Sequence, residues 1–271
     1  MTPKKVPVTI PLMETELLKS KNIVVTGGGS GIGYAIAKSC LLNGANVVIT
    51  GRNQEKLNQA VLELKALKDE TDCIWAVQLD LDNCSDHKKA LEMILQKFPN
   101  NTIDILINNA GIQSGARFGE TVPEDFDKVI STNLKGTYFW SQIVANDMRE
   151  KSVHGNILNV CSSSSNRPAV TPYMLSKWGE AGLTKGMAKQ LIKYGIVVNG
   201  IAPGPTAGGM LENRANGDMT LTTSPSGRYV TPEEVANLAV FLSSDMGRMI
   251  VGEVIYITGG CGTLTYDDIS Y

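Results

Sequence analysis

The sequence predicts a single α/β domain built on a doubly wound parallel sheet of about seven strands flanked by helices. Three observations predict it. Short apolar runs alternate with longer stretches of helical length. Most of the short runs are too continuously apolar to keep one face in water. The first of them, I-V-V-T, passes directly into a glycine cluster, G-G-G-S-G-I-G, that opens a helical stretch. At 271 residues and 42% hydrophobic content the chain can bury one sizeable core but hardly two, and no repeat, low-complexity tract or linker breaks the alternation.

Residues 1–20 hold three prolines, which disfavour a regular element, and are read as an N-terminal appendage to a domain spanning 21–271. Within the domain, the apolar run 23–26 feeds a helix over 31–43, and the run 46–50 feeds a helix over 54–68. The run 73–79 is followed by helical length at 85–97, and 103–107 by a long helix over 123–151. The run 156–160 leads to a helix over 173–194. The run 196–201 reaches its helix, 232–244, only after a long loop, and 253–257 closes the series before a C-terminal tail, 261–271. Right-handed crossovers between parallel strands then place helices on both faces.

Composition excludes several functions. The formal net charge is −2 with no basic block, so nucleic acid is not an expected partner. The N-terminus lacks an apolar run of signal-peptide length, and no later stretch approaches the ~20 apolar residues that span a bilayer, so no membrane partner is expected. Five scattered cysteines without a C-x-x-C pair suit a reducing compartment, and the chain is expected to be cytoplasmic. G-x-S-x-G is absent, which leaves no hydrolase elbow. The two histidines, His87 in D-H-K-K and His154 in a loop, read as surface residues, and no metal is expected.

The glycine cluster follows the first strand and opens the first helix, where unpaired N–H groups and the helix dipole favour a phosphate. Gly27 suits the tight turn, Gly31 the approach of a pyrophosphate, and Gly33 the close packing of helix on sheet. Far downstream, Y-M-L-S-K sets Tyr173 and Lys177 four apart on one helix face. An isolated tyrosine is only about 0.1% phenolate at neutral pH, and a neighbouring ammonium favours the anion, which makes such a pair suited to proton transfer. Ser162, in C-S-S-S-S, offers a hydroxyl at the carboxyl edge of the fifth strand, where ligands of such sheets bind.

Together these motifs resemble the short-chain dehydrogenase/reductase family from about Asn22 to Gly260: T-G-G-G-S-G-I-G, N-N-A-G at 108–111, Y-M-L-S-K, and P-G at Pro203 and Gly204 occur in family order and spacing. The resemblance implies a Rossmann-type fold and hydride transfer between NADP(H) and a carbonyl or secondary alcohol. It implies a tetrad in which Tyr173 exchanges the proton, Lys177 lowers the tyrosine's proton affinity and holds the nicotinamide ribose, Ser162 bonds the substrate oxygen, and Asn133 completes a proton relay. The implied dinucleotide contacts are Gly27, Gly29, Ser30, Gly31, Ile32 and Gly33 in the glycine loop and Asp80 and Leu81 after the third strand. Asn109, Ala110 and Gly111 follow after the fourth, with Tyr173, Lys177, Pro203, Gly204 and Thr206 beyond. An NADP(H)-binding sensor or scaffold without turnover is the alternative.

Several details depart from the family pattern. The serine-to-tyrosine spacing is short by about two residues, which leaves Ser163 as a substitute for Ser162. Gly208 stands where many members carry a threonine, a role Thr206 can cover, and T-G-G replaces a common D-G-G at 258–260. At the end of the second strand Gly51 occupies the usual acid position, and Arg52 offers a forked cation to a 2′-phosphate, so NADP(H) is the expected cofactor. The helices over 123–151 and 173–194 resemble those that pair across family interfaces, with Tyr138, Phe139, Trp140, Ile143 and Val144 apolar around most of a helix. A homo-oligomer is therefore expected, a tetramer before a dimer. The loop 205–226, glycine-rich but carrying Met210, Leu211, Met219 and Leu221, is expected to act as a mobile lid.

Overall fold

The seven apolar runs form one parallel sheet in the computed structural model, which describes residues 10–67, 73–114, 117–208 and 218–266. The strands are β1 (Asn22–Thr26), β2 (Asn46–Gly51), β3 (Ile74–Gln78), β4 (Ile105–Asn108), β5 (Asn156–Val160), β6 (Val197–Pro203) and β7 (Val254–Ile257). Their order is β3-β2-β1-β4-β5-β6-β7. The chain winds outward from β1 to β3, then returns to the other side of β1 at β4, and this reversal opens a crevice at the carboxyl ends of the two strands.

Helices α1 (Gly31–Leu42), α2 (Gln54–Lys65) and α7 (Pro232–Ser243) cover one face. Helices α3 (His87–Leu95), α5 (Thr137–Glu150) and α6 (Pro172–Leu191) cover the other. Side chains alternate along a strand, so β1 sends Ile23 and Val25 into the first layer with Ile36, Leu41, Leu57 and Val240, while Val24 joins Ile94, Trp140, Val144 and Met148 in the second. Strands buried on both faces must be apolar throughout, which is why these runs read so clearly.

Caps explain where the helices begin. Asn53 accepts the Lys56 N–H at the start of α2, and Thr171 accepts the Met174 N–H at the start of α6, with Pro172 at the first helical position. Thr231 and Glu234 form a reciprocal capping box on α7, and Arg228 holds the same carboxylate through two bonds of 2.6 and 2.9 Å. Before β1, residues 10–20 run without regular structure yet are tied down. Leu18 is fully buried, its N–H bonds the Asn43 carbonyl, and the Asn43 and Asn237 side chains bond the main chain of Met13 and Pro11.

Two expectations are corrected. The stretch 123–151 is not one α-helix but α4 (Pro123–Ile130), a π-helical turn (Ser131–Gly136) and α5. The turn presses on the segment after β3 so closely that a Cβ on Gly136 would collide with the Leu81 carbonyl oxygen. His87 is not on the surface. It is buried, its Nε2 lies 3.1 Å from the Leu81 carbonyl oxygen, its ring meets Trp140 edge to face, and burial pushes its titration below the ordinary histidine value.

Candidate active site

A cleft of about 710 Å³ lies over the carboxyl ends of the strands, with the β1–β4 reversal at its centre. Its floor begins where β1 ends. Thr26 Oγ1 accepts the main-chain N–H of Asn109 (3.0 Å) and of Ala110 (3.1 Å), while the Asn109 side chain donates to the carbonyls of Thr26 (3.0 Å) and Gly27 (3.2 Å). This four-bond clamp ties the glycine loop to the segment after β4. Gly27 and Gly31 adopt φ of 66° and 56°, a left-handed conformation costly for other residues. Gly33 lies beneath the loop, where a Cβ would strike the Gly27 carbonyl and the Asn109 amide.

Gly27, Ser30, Gly31 and Ile32 line the cleft, whereas Gly29 and Gly33 lie off it. Ser30 is the N-cap of α1 but its side chain makes no capping bond, and the first turn carries no acid. A helix N-terminus, a glycine-rich loop and a first turn without an acid fit a pyrophosphate. At the outer end, Gly51 and Arg52 line the wall with Lys56, and Gln78 fixes the Arg52 carbonyl at 2.8 Å. Asp80 and Leu81 form the opposite lip, and Ala110 and Gly111 continue the floor with Asn109. The residues present therefore fit a nicotinamide dinucleotide.

At the inner end Tyr173 and Lys177 rise from the first turns of α6, and Ser162, Ser163 and Ser164 from the turn after β5. The Ser162 hydroxyl accepts the Ser164 N–H at 3.1 Å, which leaves its own proton to donate. The Ser163 hydroxyl accepts from the buried Arg167 guanidinium at 3.1 Å. Lys177 Nζ stands 5.8 Å from the centre of the Tyr173 ring and donates to the Val160 carbonyl (3.0 Å) and to both oxygens of Glu180 (3.0 and 2.8 Å). Lys177 and Glu180 are 4% and 3% exposed, so this is a buried ion pair. Burial works against the ammonium, but Glu180 and then Tyr173 outweigh it and hold Lys177 above the ordinary lysine value.

Asn133 stands on the π-turn behind the cleft wall, fully buried. Its side chain clasps both main-chain groups of Ile112, at 2.8 and 2.9 Å, and donates to Ser176 Oγ at 3.1 Å. Pro203, Gly204 and Thr206 form the wall after β6, with Thr206 Oγ1 bonded to the Gly204 carbonyl. Beyond them, residues 209–217 of the expected lid lie outside the described residues. Its remainder folds back through Tyr229 N–H to Met219 and Leu221 N–H to Gly227, bringing Leu221 and Tyr229 to the cleft. The T-G-G segment buttresses this fold, with Gly259 against Ser226 and Gly260 against Pro225.

Sequence reasoning missed Glu180 and Lys56. Glu180 carried a readable signal, because Tyr173, Lys177 and Glu180 at i, i+4 and i+7 share one helix face. Lys56, four residues beyond Arg52 and one turn into α2, is a weaker signal. Among the described residues no three His, Cys, Asp or Glu side chains gather in a cluster able to hold a metal ion, and no helix is long and apolar enough to cross a membrane.

The short chain dehydrogenase family matches residues 21–218. The chain belongs to that family. It is 38% identical to gluconate 5-dehydrogenase of Gluconobacter oxydans over 251 residues, 90% of this chain and 95% of that one. It is 35% identical to 3alpha-hydroxysteroid dehydrogenase of Mediterraneibacter gnavus over 247 residues, 90% and 97% of the two chains. Among solved structures it is similar to actinorhodin polyketide ketoreductase with NADPH, with a TM-score of 0.81 at 27% identity over 90% of this chain and 98% of the other. The protein is accordingly a hydride-transferring oxidoreductase of the short-chain dehydrogenase family, and the reading as a sensor without turnover is not favoured.

Gly33→Ala tests the floor of the cleft. The added methyl meets a main-chain oxygen that cannot step aside, so stability should fall by about 1–3 kcal/mol, read from the denaturant midpoint, and dinucleotide binding should weaken with it. A variant of unchanged midpoint and affinity would show that the loop does not depend on this contact.

Proposed function

We propose that the protein interconverts a carbonyl and a secondary alcohol with NADP(H) as cofactor and Tyr173 as the group that gives and takes the proton. The observation that carries this reading is the convergence of Tyr173, Lys177 and Ser162 at the inner end of a cleft that the glycine loop also lines. The bound nicotinamide supplies or accepts the hydride. Ser162, with its proton free, donates to the substrate oxygen as charge develops there, a role in which loss of the donor removes on the order of 3 kcal/mol of barrier lowering. Tyr173 protonates that oxygen in reduction and accepts its proton in oxidation. Lys177 sustains the tyrosine and would turn an N–H from protein oxygen to the ribose when the cofactor binds. Asn133 acts from behind the wall, by fixing the main chain of Ile112 and so the segment on which Gly111 lies.

The preference for NADP(H) rests on Arg52 and Lys56. Both are exposed, both line the outer wall, and no acid stands at the end of β2 to grip a ribose 2′-hydroxyl. A guanidinium can hold a 2′-phosphate through two parallel bonds, with the Lys56 ammonium adding a second positive charge. The match to a ketoreductase solved with NADPH agrees with this choice. We place residues 21–271 in one catalytic domain, with 1–20 as an appendage, and assign the protein to the cytoplasm.

The assembly is a homo-oligomer in this reading, a tetramer or else a dimer. Phe126 on α4, Tyr138 and Phe139 on α5, and Leu175 and Trp178 on α6 are each between 40% and 47% exposed, a group of large apolar side chains that a monomer would leave in water. Trp140 and Val144, by contrast, are spent in the core.

Tyr173→Phe keeps the ring and removes the proton. Turnover should fall by about 10²–10⁴-fold while NADPH affinity, measured by calorimetry, stays within a few-fold of the parent; undiminished turnover would reject the assignment. Arg52→Ala should lower kcat/KM with NADPH about 10–100-fold relative to NADH, the range expected for losing bonds to a charged group. Equal efficiency with both cofactors in the parent protein would end the NADP(H) reading. Light scattering at micromolar concentration should give a mass of two or four chains, and a monomer would exclude the assembly.

A further inference from the structure

Lys177 has three N–H donors, and all three meet protein oxygens: one the Val160 carbonyl, the others the two oxygens of Glu180. Nothing of the ammonium is left over for a ligand in this arrangement. A buried ammonium needs a partner, and the neutral Val160 carbonyl satisfies one N–H without offsetting the charge. A full carboxylate at 2.8 Å, itself 3% exposed, does more, because it cancels the charge that the lysine would otherwise present to Tyr173. Glu180 is also held from behind. Thr184 Oγ1 donates to the Glu180 carbonyl at 2.8 Å and accepts from Asn159 of β5 at 2.8 Å, so the turn of α6 bearing the carboxylate is fixed to the sheet.

We propose that Glu180 is a positioning residue that retains Lys177 and offsets its charge, and so weakens the effect of the ammonium on the Tyr173 proton. The inference rests on Tyr173 being the proton donor. Glu180 does not touch the reacting atoms; it acts through Lys177, for which it competes with the cofactor ribose. Burial raises Glu180 above the ordinary carboxylate range and Lys177 draws it back, and the ammonium donating to both oxygens is the geometry of an ionised pair.

The surroundings leave this pair in control. Of the elements packed against α6, β5 and β6 carry no charged side chain, and Cys161, just after β5, has its thiol pushed up to about 12 by burial, so it stays neutral. Arg167 follows the turn after β5, where it binds Ser163 rather than the pair. Lys135 on the π-turn and Glu124, Asp125, Asp127 and Lys128 on α4 are exposed, and water screens them.

Glu180→Gln is the test, read in two ways. The limb of the kcat/KM profile for alcohol oxidation that reports the catalytic base should move to lower pH by about one unit, since the ammonium beside Tyr173 is no longer neutralised. By calorimetry, without turnover, NADPH should bind several-fold more tightly as Lys177 is freed for the ribose. Glu180→Asp, which keeps the charge, should hold the limb where the parent has it. Glu180→Met, of similar volume, gives the same two readings if Glu180→Gln does not fold. A limb that stays in place in the neutral variants, or NADPH affinity that falls, would overturn the proposal and assign Glu180 to packing alone. If instead Tyr173→Phe keeps its turnover, the reading on which the inference rests fails separately.

Discussion

The clamp between Thr26 and Asn109 is the constraint on which the site depends. At a reversal of strand order two neighbouring strands send their chains to opposite faces, and the ends of β1 and β4 would part without something to join them. Thr26 joins them by accepting two N–H groups from the segment after β4, and Asn109 by returning two bonds to the segment after β1. Because the bonds run both ways, neither loop can shift alone. The left-handed turns at Gly27 and Gly31 and the side-chain-free contact at Gly33 are then consequences: a loop held this close to its neighbour has no room for a Cβ beneath it.

A second polar system carries this rigidity to the inner end of the cleft. Asn108, the last residue of β4, donates to Ser141 on α5 and to Asn159 on β5, and Asn159 passes the chain on through Thr184 to the main chain of Glu180. These side chains are buried between sheet and helices, where an unmade bond costs about 1–3 kcal/mol, so each fixes its partner's orientation. The proposed proton-transfer group on α6 is thus indexed to the strands that hold the glycine loop, and the two ends of the cleft keep their spacing through the core rather than through surface loops.

The fold was legible because a parallel strand buried on both faces has little freedom of composition, as β1, β2, β4, β5 and β6 show, whereas the edge strands β3 and β7 are only partly buried. The glycine loop was legible because only glycine meets its geometry. The π-turn was not, since the apolar pattern of 123–151 continues across it and the cause, the approach of Gly136 to Leu81, lies fifty-five residues away in sequence. His87 misled for a similar reason. Its neighbours Lys88 and Lys89 are exposed as their type suggests, but the ring turns inward to Trp140 and the Leu81 carbonyl. Glu180 went unread because an acid three residues after a lysine is commonplace on exposed helices; its alignment with Tyr173 and Lys177 on one face was the signal, and burial is what sets this pair apart. The substrate end was the least legible, because Tyr229 and Arg167 reach it from irregular segments that carry no periodicity, although Leu221 was expected there as an apolar cover and does line the cleft.

The cations of the cleft show how one residue class serves two ends under different dielectric conditions. Arg52 and Lys56 stand in water, where their fields are weak until a ligand of opposite charge displaces the solvent; in the proposed reading their value lies in selecting which dinucleotide settles. Lys177 stands in the interior, where an uncompensated charge would be costly and a compensated one is strongly held. The outer pair can therefore be changed with little effect on the fold, whereas the inner lysine cannot be separated from Glu180 without cost to stability and, in the proposed reading, to cofactor grip and proton transfer as well. That coupling follows from burial itself: in a low dielectric the group that makes the ammonium tolerable also decides how much of its charge the tyrosine feels.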